Sequence, residues 1–211
     1  MAMSGEENGL ALEKVGGEVL GMGFSTAEDT LSLRFHLNTS LHVHGKPTEE
    51  DITPKTLHKL HTAVITKRTC LRIISCQYDP LGVASCVLIS LKVRLKELYK
   101  LGIEWYTPLE GNLRNDWIQM LEMLVLAGEV RFRRTTKPEN AVGSCTMICF
   151  FDGSDLAFGF VMYARWVMTD GSVWVNLVAA KARIAPLYGT STPRVELEGA
   201  TLLSRVTVRV I

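Results

Sequence analysis

Two acidic residues far apart in the chain, Asp152 and Glu196, stand in settings where carboxylates do chemistry. Asp152 closes the apolar run MICFF and is followed at once by Gly153 and Ser154, with a second apolar run opening at Leu156. A carboxylate so placed can cap a turn between strands, hold a metal, or act as the acid of a peptidase. Glu196 lies in TPRVELEGATLLSR, on one stripe with Ala200 and Leu203 at i, i+4 and i+7, which predicts that it faces a sheet. Gly199 and Ala200 leave room for close helix approach, bringing Glu196 toward the strand end where Asp152 points. Two carboxylates converging there form a hard-oxygen site for Mg²⁺ or Mn²⁺. The alternative is a turn cap at Asp152 and a Glu196 that reaches into water from the first turn of its helix, where negative charge suits the dipole.

Other ligand sets are poorer. Cys70, Cys76, Cys86, Cys145 and Cys149 contain no CxxC pair, and their odd number fits a reducing compartment. No histidine follows Cys145 and Cys149 at zinc-finger spacing. His58 and His61 share a helix face but have no third ligand nearby, so they read as exposed polar residues, and His42 with His44 is a similar close pair.

The 211 residues are 47% apolar, enough for one large domain or two small ones. With 23 basic and 22 acidic residues the net charge is +1, so a nucleic-acid partner rests on local clusters. Those clusters are Lys67 with Arg68 and Arg72, the run Lys92 to Lys100, and Arg131, Arg133 and Arg134, each read as a solvated face. The polar, acidic N-terminus is no signal peptide, and the longest uncharged helical stretch, Leu81 to Leu91, is about half a bilayer span. The chain therefore reads as soluble and intracellular, cytoplasmic or nuclear, with no membrane partner.

Residues 1–14 read as a disordered N-terminus. GGEVLGMGFS and LSLRFHL form a hairpin around AEDT. Thr53 with Pro54, and then Thr66, cap two helices, the second stopping at Tyr78-Asp79-Pro80. Val83, Val87, Leu91, Leu95 and Leu98 stripe a third helix ended by Gly102. Leu113, Trp117, Leu121 and Leu124 stripe a fourth, capped at Asn112. The segment 135–143, TTKPENAVG, reads as a linker and domain boundary, because the hydrophobic period changes across it from 3.6 to 2. Three strands follow, with MTDGS as a hairpin turn, and then a helix capped at Thr192.

Several segments, in order, carry a resemblance: EVLGMGF; Thr66–Arg68 followed ten residues on by YDPLG; GIEW; FFDGSDLAFG; AAKARIAP; and TPRVELEGA. The sequence resembles the pol polyprotein of BEL/Pao-type LTR retrotransposons from about Val15 onward. The resemblance implies an α+β or α/β chain. Residues 15–134 would be the palm end and thumb or connection region of a reverse transcriptase, and residues 144–211 a partial RNase H-like domain of three antiparallel strands and a helix. It implies that Asp152 and Glu196 match the family's first two carboxylates, holding Mg²⁺ or Mn²⁺ for hydrolysis of RNA in an RNA·DNA hybrid. Lys181 and Arg183, with Arg131, Arg133 and Arg134, are the candidate nucleic-acid contacts.

The pattern is incomplete. The chain ends before the family's later aspartates and lacks a Tyr-x-Asp-Asp box, so it reads as a pol fragment that is catalytically incomplete as given. The alternatives are an active RNase H within a longer chain, or a domesticated nucleic-acid or protein-binding module. Proteins of this type are also described as peptidases, but Asp152-Gly153-Ser154 inverts the Asp-Ser/Thr-Gly order that an aspartic peptidase needs, and Asp170-Gly171 sits in a turn. The missing partner of the first strand would leave MICFF at an open edge. The alternating tail Val206 to Ile211 is read as a replacement strand.

Overall fold

Turn and cap chemistry sets where the elements begin. The computed structural model describes residues 18–19, 21–38, 49–187 and 190–210, so the segment 1–14, His42 and His44 lie outside the described residues. The chain opens with β1 (Glu18–Val19), β2 (Met22–Ser25), β3 (Thr30–Leu33), β4 (His36–Asn38) and β5 (Glu49–Asp51). The expected hairpin exists as β2 against β3, but both arms break. Gly21, at φ +74, folds β1 back onto β2, and β4 leaves the sheet to pair with β5. The far edge of β3 takes β6 (Arg131–Arg133).

Thr53 caps α1 (Pro54–Leu60): its hydroxyl accepts the Thr56 N–H, and the Thr53 N–H donates to the Thr56 hydroxyl at 2.8 Å. The Thr66 hydroxyl accepts the Thr69 N–H at 3.2 Å to open α2 (Lys67–Ser75). Both caps are as expected. α3 (Ser85–Lys100) ends at Gly102, whose φ of +67 suits a helix stop. α4 (Gly111–Glu129) starts before Asn112, with Glu110 at the cap position, so Asn112 is not the cap. Leu91, Leu98, Trp117, Leu121 and Leu124 are fully buried at the centre of the first core.

Asp79 proves to be more than part of a helix stop. Its carboxylate accepts the Val83 and Ala84 N–H groups, each at 2.9 Å, and so holds the entrance of α3. Burial nevertheless raises its pKa above the usual carboxylate value, these hydrogen bonds only partly opposing it. The native state therefore takes up this proton more readily than the unfolded chain, so its contribution to stability falls as pH rises from about 4 through the raised value. Urea unfolding of wild type and Asp79→Asn at acidic and neutral pH checks the sign: the wild type should lose ground to the variant as pH rises. An advantage that grows with pH would refute it.

The second half is a sheet in the order β7 (Ala141–Gly153), β8 (Ala157–Met168), β9 (Val173–Ile184), all antiparallel, followed by α5 (Thr192–Val210). This is the expected α+β arrangement of three antiparallel strands and a helix. β7 begins at Ala141, inside the segment read as linker. α5 lies across β7 and β8, and Phe158, Phe160, Ala185, Val195 and Leu202 make a second core. Among the described residues β7 pairs with β8 alone, and Phe150 and Phe151 are exposed on this edge strand.

α5 departs from expectation at both ends. The tail is not a strand: Val206 and Val208 continue α5, because Val206 extends the buried row Val195, Gly199, Leu202 onto the second core. Thr192 does not cap; the Ser191 carbonyl accepts the Val195 N–H, and the Thr192 hydroxyl donates to Asp155 Oδ1 at 2.8 Å.

The halves are clasped together. The Ala180 N–H of β9 donates to Leu81 O at 2.8 Å, so the YDPLG turn docks on the sheet. Lys96 of α3 donates to Ala185 O at 2.7 Å and Pro186 O at 3.2 Å. Trp166 Nε1 and Asn176 Nδ2 donate to Thr136 O and Thr135 O, binding the start of segment 135–143 to the sheet.

Candidate nucleic-acid-processing site

Glycine at two positions lets α5 reach the end of β7. A Cβ at Gly153 would stand 2.7 Å from Glu196 N and 2.8 Å from Val195 C, and one at Gly199 would stand 3.1 Å from Asp152 O. The backbones that carry Asp152 and Glu196 are thus in contact. Their side chains leave in different directions. Because Gly153 faces α5, strand alternation turns Asp152 to the other face, level with Gly159. There it lines a mainly apolar cavity of about 450 Å³ with Phe150, Val161 and Gly82. Asp152 Oδ1 accepts the Gly153 N–H at 2.8 Å, so the turn-capping contact is made.

Glu196 is exposed on α5. The buried row is Val195, Gly199 and Leu202, one position before the expected Glu196, Ala200 and Leu203. Gly199, having no side chain, makes the closest approach to the sheet and so fixes the helix's rotation.

In these positions the two carboxylates do not fit a shared divalent cation: they leave the backbone on different sides, and no cluster of three His, Cys, Asp or Glu side chains exists among the described residues. His58 and His61 are exposed, with rings 6.1 Å apart. The peptidase geometry is also missing. Asp170 lies beyond the far end of β8 from the Asp152 pairing position, a separation of roughly 30 Å at the usual strand rise. Its Oδ1 accepts the Ser172 hydroxyl and N–H, bonds that hold its carboxyl below the usual range.

The basic residues divide. Lys181 and Arg183 are exposed on β9. Arg131 donates to Gly128 O at 2.9 Å, Arg133 lies 4.6 Å over the Trp174 ring, and Arg134 pairs with Asp29 at 2.7 Å. All three arginines are therefore engaged within the chain. Two lysines read as solvated are buried. Lys67 donates to Ile103 O beneath the rings of Tyr99 and Trp105, at 4.5 and 5.0 Å, and Lys96 clasps the connection that follows β9. Their charge hid them: Lys96 sits in one four-residue repeat with Lys92 and Lys100, so nothing in the local sequence singled it out.

This sheet-and-helix unit, with α2 to α4 docked on it, coincides with one known family. A family model described as the Pao retrotransposon-like RNaseH-like domain matches residues 66–211, well over half of the chain. The chain belongs to that family. The Pao RNaseH-like region includes the helices as well as the sheet, so the clasp at YDPLG and Lys96 lies wholly within it. Membership makes the chain retrotransposon-derived and RNase H-like, and implies nucleic acid and divalent cations for the family's work. No curated protein and no solved structure matches the chain. No helix among the described residues is long and apolar enough to cross a membrane.

Proposed function

We propose that this chain is the reverse transcriptase and RNase H junction of a BEL/Pao-type pol polyprotein, and that by itself it lacks an assembled RNA-cleaving centre. Residues 15–134 are read as the polymerase-side palm end and thumb or connection, whose helices from residue 66 on the family match takes in together with the RNase H-like sheet, 135–143 as the join, and 144–211 as the RNase H-like sheet and helix. Two separate cores, one on either side of the join, support that division. By the family resemblance Asp152 and Glu196 are the first two carboxylates of a Mg²⁺ or Mn²⁺ centre, which this chain carries on adjoining elements without bringing them to one ion. The observation that carries the reading is the contact of Gly153 with the Glu196 backbone, which sets the strand end that bears one carboxylate against the helix that bears the other.

The geometry argues for incompleteness as well, since Asp152 and Glu196 diverge and no third ligand accompanies them among the described residues. The full chain, incubated with Mn²⁺ and a labelled RNA·DNA hybrid, is expected to cleave no faster than Asp152→Asn or Glu196→Gln. Cleavage by the wild type that disappears in Asp152→Asn would overturn the incompleteness and establish a working nuclease.

A further inference from the structure

We propose that the groove between α3 and the β9 to α5 connection binds a single strand of nucleic acid, with phosphates on Lys92, Lys100 and Arg183 and bases over the apolar floor. The proposal rests on the retroelement reading above and names the surface by which the chain would hold its polynucleotide.

Lys92, Lys96 and Lys100 recur every four residues, so they line one face of α3. That face borders a groove of about 690 Å³, whose walls include Lys92, Lys96 and Arg183 over Leu95, Tyr99 and Ile184. None of these four cations is in an ion pair among the described residues. Arg94, elsewhere on the same helix, is paired with both Glu97 and Asp116. Lys92 acts electrostatically on the Asp79 carboxyl, whose oxygens accept the Val83 and Ala84 N–H groups. Glu198 is the acid on the groove's wall.

Lys96 gives the independent sign that an anion belongs here. The residue is 6% exposed, its ammonium meets two carbonyls and no carboxylate at ion-pair distance, and a buried charge whose counter-charge acts only from further away is costly. Burial and neighbouring Lys100 lower its affinity for the proton, with Asp155 opposing only in part. A phosphate track along the stripe would supply the missing charge.

A single strand suits the floor better than a duplex, because it presents base faces that a duplex keeps stacked inside. Tyr99 is 43% exposed and held edge-on against Trp105 at 5.6 Å, a pre-oriented ring on which a base can stack. Lys181, also exposed, extends the basic surface beyond Arg183 on β9.

The test is fluorescence anisotropy of the full chain with labelled oligo-dT, oligo-rU and an RNA·DNA hybrid across a salt series. Wild type should prefer the single strands. Lys92→Glu, Lys100→Glu and Arg183→Glu together should weaken binding about tenfold or more and reduce the salt slope by about 2. Tyr99→Ala should lose several-fold, on the scale of about 1 kcal/mol for a stacked base. Lys96 is left intact because it holds the clasp, and the glutamine versions of the same three positions, with unfolding midpoints, separate charge loss from unfolding. Single-strand binding that survives the triple change, or a preference for the hybrid, would overturn the groove while leaving the retroelement reading standing. A wild type that binds no nucleic acid at low salt would overturn both.

Discussion

Replacing Gly82 with alanine is expected to remove about 3 kcal/mol or more of stability and to free the YDPLG turn from the sheet. Two independent constraints meet at this residue. Its φ of +76 is left-handed, a conformation that disfavours any side chain by roughly 1–2 kcal/mol. A Cβ there would also stand 1.8 Å from Ala180 O and 2.4 Å from Ala180 C, both backbone atoms of β9 that cannot swing aside as a side-chain tip can. The turn would have to lift, breaking the Ala180 N–H to Leu81 O bond and disturbing the Asp79 cap on α3. Gly102 is the internal control. It has a φ of +67 but nothing within 4 Å of an added Cβ, so Gly102→Ala should show the conformational penalty alone. Urea unfolding with hydrogen exchange at Ala180 reads both effects. A Gly82→Ala loss no larger than that of Gly102→Ala would mean that the turn is not pressed against β9.

Gly153→Ala should be the second most damaging change, by about 2–3 kcal/mol, for a different reason. Its backbone conformation is open to any residue, so strain contributes nothing. The methyl would instead enter α5 at Glu196 N and Val195 C, at 2.7 and 2.8 Å, and push the helix off the end of β7. Val195 and Leu202, at 1% and 8% exposure, would lose burial, and Glu196 would move away from the Asp152 strand end. Gly199→Ala meets carbonyl oxygens at 3.1 and 3.3 Å and should cost less, about 1 kcal/mol. Thermal unfolding ranks the two, and exchange of the α5 amides shows whether the helix has lifted. If Gly199→Ala proved the worse, the seat of α5 would have to be centred away from Gly153.

Both glycines occur in segments that the sequence already marked, YDPLG and FFDGS, yet their work was not legible there. A glycine in a turn explains itself locally, and nothing in the chain says which distant carbonyl will lie against it. The caps at Thr53 and Thr66 were legible because donor and acceptor lie three residues apart. The hairpin at Thr169–Ser172 was legible because its turn residues are contiguous and its arms alternate. The rotation of α5 was misread by one residue. Ala200 and Gly199 look alike as small residues, and only contact with Asp152 O and Gly159 O selects the glycine.

By itself the sequence determined α1 to α4, the three strands β7 to β9 with the helix after them, and the retroelement resemblance with the open MICFF edge that it implies. These depend on local periodicity, turn chemistry and motif order, which short stretches of chain carry within themselves. Tertiary structure decided that Asp152 faces a cavity away from α5, that Lys96 is buried as a clasp, that the Val206 tail continues a helix, and that a lysine stripe lines a groove. Each of these depends on which surface a distant segment covers, and burial, rotation and charge pairing have no value until the two halves of the chain meet.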